Sequence, residues 1–119
     1  MKRDMDLIRE ILLLAESDGD HKTTNDYTEE QIAYHVQLLI DAGLIEGKVI
    51  SQNRDGRQIP SGYFITRLTM AGHDFLDASR ENKVWEKAKG TFKEKGVGWT
   101  VDVLKAVCIQ IVKSHVGLP

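Results

Sequence analysis

A single cysteine, Cys108, leaves the chain without a partner for an internal disulfide and fits a reducing compartment. Long hydrophobic runs are missing too. The most apolar stretch, Val101–Val116, is interrupted by Asp102, Lys105, Gln110 and Lys113 and is too short and too polar to span a bilayer. The N-terminus is charged and turns amphipathic at once, unlike a secretory signal. A cytoplasmic protein without a membrane partner is therefore expected. Repeats and low-complexity segments are absent as well. What remains is 119 residues, 41% hydrophobic and 29% charged, enough for one core of modest size.

The usual marks of catalysis and metal binding are also lacking. His21, His35, His73 and His115 include no pair at ligand spacing with cysteine or another histidine, whereas zinc needs three or four converging N or S ligands. His35 sits at the edge of a helical core face and reads as a histidine bonded to backbone. Ser17-Asp18-Gly19-Asp20 has the wording of a calcium-loop fragment without its ligand spacing, and reads as a turn. No glycine-rich loop precedes a helix in a phosphate-binding arrangement, and Gly96-Val97-Gly98 reads as a linker. The serines lack a nucleophile-elbow context, and Cys108 sits on an apolar helix face as a small core residue. No catalytic residue, cofactor or metal is expected, and the chain does not read as an enzyme.

Charge is present but unevenly spread. The net charge is −2, without the basic excess of a strong nucleic-acid binder. Residues 1–46 carry 4 basic and 11 acidic side chains; residues 47–119 carry 12 basic and 7 acidic. An electrostatic footprint for DNA would lie in the later part of the chain.

The hydrophobic pattern predicts a helix over Asp4–Glu16, with Leu7, Ile8, Ile11, Leu12 and Ala15 as its stripe. His21–Tyr27 is polar and short, with room for a turn or a short strand. A second helix is predicted over 28–42. Thr28 caps it and Gln31 completes the capping box. Ile32, Val36, Leu39 and Ile40 fall on its inner face, and Glu30, Ala33, Tyr34, Gln37 and Asp41 on the other. Gly43 ends it in the left-handed conformation. Leu44–Ser51 and Tyr63–Leu68 read as strands joined by the loop SQNRDGRQIPSG, with Arg54 and Arg57 near its tip and Lys48 and Arg67 on its stem. Thr69 caps a helix over Met70–Ser79 with Phe75 and Leu76 inward. Arg80–Lys95 continues as a basic helix, carrying Trp85, Ala88 and Phe92 at helical spacing. A last helix runs from Trp99 or Thr100 to about His115.

The stretch YHVQLLIDAGLIEG resembles the recognition helix and the start of the wing in bacterial winged-helix regulators, whose pattern is His-Leu-x-x-Leu-x-x-x-Gly-Leu-Ile, with Val36 at the first Leu. The opening MKRDMDLIREIL, this core, and LTMAGHDFLDASRENKVWEKAK together resemble a family of small bacterial and phage proteins catalogued as a domain of unknown function. The resemblance implies a winged-helix fold and no particular activity.

The expected fold class is mainly α with a small β-hairpin (α+β), a winged helix-turn-helix domain over 1–80 with added C-terminal helices over 81–119. These would either cover the domain or form a homodimer through Leu104, Val107, Cys108 and Ile111. The expected function is that of a DNA-binding regulator, phage-associated or otherwise bacterial. Gln31, Tyr34 and Gln37 would face base edges, Arg54 and Arg57 would contact DNA from the wing, and Lys48 and Arg67 would meet phosphates. Glu29, Glu30 and Asp41 share the helix face with the base readers and oppose phosphate binding. A protein-interaction module that keeps the fold without binding DNA is the alternative.

Overall fold

Helix α1 runs from Met5 to Glu16. Asp4 stands before it in extended backbone, and its Oδ1 accepts the N–H groups of Asp6 (2.9 Å) and Leu7 (3.2 Å). Two of the amides that a helix start leaves without intrahelical partners are thereby satisfied. Met5, Leu7, Ile8, Ile11 and Leu12 are buried along one face. Burying each such side chain contributes about 1.5–3 kcal/mol before the cost of ordering it. This computed structural model describes residues 2–17 and 26–95, with 106, 107, 109–111 and 113. The turn expected at 18–20 and most of the polar segment at 21–27 lie outside the described residues.

Helix α2, Glu29–Asp41, starts and stops as its sequence predicts. The Thr28 hydroxyl accepts the Gln31 N–H (3.1 Å), and Gln31 Oε1 accepts the Thr28 N–H (2.8 Å). At the other end Gly43 takes φ +76°. Its N–H donates to Ile40 O, and the Leu44 N–H donates to Leu39 O, both at 3.0 Å. This pair of bonds is the Schellman closure, and Leu39 and Leu44 are both buried beside it. The inner face is wider than 100° spacing suggested. Ala33, expected on the outer face, is fully buried, His35 is 1% exposed, and Ile40 is only half-buried. The reason is that α2 is flanked on several sides, by α1, β1 and β2.

Strands β1, Ile45–Arg54, and β2, Arg57–Leu68, form an antiparallel hairpin. The loop expected from Ser51 to Gly62 is instead paired strand. Asn53 faces Gln58, Arg54 faces Arg57, and only Asp55 and Gly56 turn. Both have positive φ, 52° and 79°, the combination that matches the twist of a two-residue hairpin. Pro60 lies opposite Ser51 at a register shift, a position where proline does not break a central ladder. The inner face of the hairpin near its base joins α1 and α2: Ile45 and Leu68 are buried, and Val49, Tyr63 and Ile65 are half-buried. Residues 51–58 are all exposed, so the distal half projects beyond this core.

Helix α3, Met70–Ser79, begins at a fixed joint. The Thr69 hydroxyl donates to Gly43 O (2.6 Å) and accepts the Gly72 N–H (3.1 Å), while the Thr69 N–H donates to Leu44 O (3.0 Å). A Cβ at Gly72 would collide with the Leu44 carbonyl oxygen, so only glycine permits this approach.

The chain divides into two compact units, Met1–His73 and Asp74–Pro119, the division falling within α3. In the second unit, α4 spans Asn82–Lys95, and Phe75, Leu76, Val84, Trp85 and Ala88 are buried. The Phe75 and Trp85 rings meet edge-to-face with centroids 6.5 Å apart. The described positions between 106 and 113 are helical; Ile111 is buried and Val107 half-buried. Leu104 and Cys108, expected at a dimer face, lie outside the described residues. The described residues are mainly helical with a small antiparallel hairpin, the α+β class that the hydrophobic pattern predicts.

Candidate nucleic-acid interface

Side chains alternate along β1, so Glu46, Lys48, Ile50, Gln52 and Arg54 share one face of the hairpin. Their partners across the ladder are Arg67, Phe64, Gly62, Ile59 and Arg57. Two register shifts make this possible. β2 passes over Thr66 and Ser61, and each extra residue resets its alternation. The four cations expected on the hairpin, Lys48, Arg54, Arg57 and Arg67, are thereby gathered on a single outer face, and all four are exposed.

Their environments differ. Arg67 holds Glu46 in a two-pronged pair at 2.9 and 2.8 Å, so its charge is largely answered within the hairpin. Lys48, Arg54 and Arg57 have no ion-pair partner among the described residues. Arg54 and Arg57 stand directly opposite each other on either side of the turn. Like charges in that position repel, so hairpin stability does not account for them. An anion bound at the tip would relieve the repulsion.

Helix α2 presents a different surface. Gln31 is committed to its capping box. Gln37 Nε2 donates to Asp41 Oδ1 at 2.9 Å. Tyr34 is half-buried and turns its ring edge-on to His35 at 5.4 Å. Glu29 and Asp41 are exposed, and α2 contains no lysine or arginine. Tyr63, on the inner face of β2, has its hydroxyl pKa raised, by burial first and then by the charge of Glu29.

Two features were not legible in the sequence. One is apolar: Phe64 (65% exposed) and Ile50 (49%) lie among the hairpin cations on the outer face. The alternation of Lys48 with Ile50 hinted at it, but the shifts that bring Phe64 alongside carry no residue signal. The other is polar. The Asp4 N–H donates to His35 Nε2 (2.8 Å), His35 Nδ1 bonds Gln31 O (2.7 Å), and the Tyr27 hydroxyl donates to Asp4 Oδ2 (3.1 Å). His35 is thus a buried histidine bonded to backbone, as expected, and it ties α1 to α2.

A cleft of about 230 Å³ lies between Ala15 and Glu16 of α1, Arg67 and Leu68 of β2, and His73 of α3. It is smaller than the roughly 300–1,000 Å³ of small-molecule sites. Among the described residues no group of three or more His, Cys, Asp or Glu side chains is placed to hold a metal ion. No described helix is long and apolar enough to cross a membrane.

A protein of Haemophilus influenzae, named only as an uncharacterized protein, is 35% identical over 121 residues, covering 96% of this chain and 98% of its own length. No solved structure matches the chain. Residues 2–98 match the profile of a protein family described as Hypothetical protein (DUF2513), and the chain belongs to that family.

Proposed function

We propose that the protein is a winged-helix DNA-binding regulator whose hairpin is the wing. The observation that carries this reading is the facing pair Arg54 and Arg57 at the tip of a projecting hairpin, with Lys48 on the same exposed face. The order of α1, α2, hairpin and α3 suits it, with α2 as the recognition helix. Ten strand residues at about 3.3 Å each give the wing a reach of about 30 Å. Tyr34 and Gln37 remain the base-reading candidates. Gln31, Gln37 and Arg67 already hold bonds within the helix or the hairpin, to Thr28, Asp41 and Glu46, which a nucleic acid would have to replace. A homodimer through the C-terminal helix would match a two-fold site. The test is a fluorescence titration of purified protein against labelled random duplex DNA, with an Arg54→Ala/Arg57→Ala variant beside it. Binding that the variant loses supports the wing contact; equal binding by both proteins removes it.

The acidic surface of α2 favours a second reading, a winged-helix protein-interaction module without DNA binding. Glu29, Glu30 and Asp41 would repel phosphates at the position where a recognition helix meets them. Absence of duplex binding at low salt would favour it.

A further inference from the structure

We infer that the outer face of the hairpin takes unpaired nucleotides, with a base stacked on Phe64 and the sugar–phosphate chain following Lys48, Arg54 and Arg57. This rests on the nucleic-acid reading above and adds the class of nucleic acid, single-stranded or locally opened, that the face receives.

Phe64 is 65% exposed on a strand whose opposite face already supplies the core. Its ladder partner is Lys48, and directly opposed side chains have Cβ atoms about 4.5–5.5 Å apart. The next pair on the same face is Ile50 with Gly62. A Cβ at Gly62 would meet only the Ile50 side chain, at 3.8 Å, so the surface beside the ring is low and open. The floor is therefore flat and apolar: an aromatic ring, an isoleucine and a glycine. Glu46 is the carboxylate among these paired positions, and Arg67 neutralises it; Asp55 adds a second, exposed in the turn between Arg54 and Arg57.

A flat apolar floor beside lysine and arginine matches a nucleotide better than it matches either an apolar or an acidic protein surface. A base supplies a π-face to the ring, and its phosphate supplies the anion for the cations. The bases of an intact duplex are stacked inside and do not reach such a ring. From Lys48 to Arg54 is six residues, about 20 Å of strand, which spans several nucleotides of an extended chain.

The experiment compares a labelled oligothymidylate with a mixed-sequence duplex by fluorescence anisotropy. The proteins are wild type, Phe64→Ala, Phe64→Trp and Arg54→Ala/Arg57→Ala. Wild type is expected to hold the single strand more tightly than the duplex. Phe64→Ala is expected to weaken single-strand binding roughly 5- to 150-fold and to change duplex binding less than about twofold. Phe64→Trp is expected to bind as wild type, with its added fluorescence quenched by the oligonucleotide. Phe64 is exposed, so its variants are expected to fold, and thermal unfolding curves that match wild type are the check. A Phe64→Ala variant that leaves single-strand binding intact, or weakens both nucleic acids equally, overturns the inference. So does a Phe64→Ala effect seen only as lost self-association in sedimentation, which would make a second copy of this chain the occupant. Duplex binding lost in the arginine variant but indifferent to Phe64 leaves the regulator reading standing alone. Wild type that binds neither nucleic acid ends both.

Discussion

Asp4 joins three parts of the chain through one residue. Its Oδ1 caps α1, its Oδ2 accepts the Tyr27 hydroxyl, and its N–H donates to His35 Nε2. Because Nε2 accepts that bond, the imidazole proton sits on Nδ1 and is donated to Gln31 O. His35→Leu keeps the bulk and removes the acceptor. It is expected to destabilise the fold by about 1–3 kcal/mol, read as a lower urea midpoint at unchanged slope. Tyr27 adds a pH signature. Burial first, then the bond to Asp4 and the charges of Asp4, Asp6 and Glu10, raise its hydroxyl from 10.0 to about 12. The folded value lies above the unfolded one, so this contribution is fully present below pH 10.0 and is lost as pH rises towards about 12. Unfolding measured across that range should show a shallower alkaline loss in Tyr27→Phe than in wild type. Tyr63, raised by burial and Glu29, keeps part of the loss in place.

Elements with local signals were legible in the sequence. Thr28, Gln31 and Gly43 fix both ends of α2 through bonds within a few residues of themselves, and the structure forms all of them. Thr28→Ala is expected to cost about 1 kcal/mol, read in the same urea titration. The hairpin was less legible. Pro60, Ser61 and Gly62 read as a loop because turn residues end most strands, yet here proline falls beside a bulge and the pairing runs through to Asp55. Register depends on contacts between strands, and nothing in the local sequence records it. For the same reason the expected cations were found as residues, while their common face and the company of Phe64 were not. Ala33 was misplaced because helical spacing gives the direction of a face but not how many neighbours surround it. In α4, a Cβ at Gly90 has nothing within 4 Å. Gly90→Ala should therefore stabilise the helix by about 0.5–1 kcal/mol, seen as a higher thermal midpoint.

At the scale of the molecule, charge is divided between surfaces. Residues 1–46 are net acidic and carry α2, while the hairpin gathers four exposed cations on one face; Lys2 and Arg3 are exposed as well. On the regulator reading proposed above, phosphate affinity would come from the wing, with α2 adding shape and a few polar groups. Each phosphate neutralised adds about 0.9 to the slope of log K against log salt. With Lys48, Arg54 and Arg57 as contacts, wild type should give a slope of about −2 to −3. The most direct test of the wing assignment is that slope for duplex binding, measured between about 50 and 200 mM salt for wild type and for Arg54→Ala/Arg57→Ala. If the wing holds the phosphates, the variant's slope is shallower by about 2, in addition to weaker binding. An identical slope in the two proteins would contradict it, placing the phosphate contacts elsewhere on the chain.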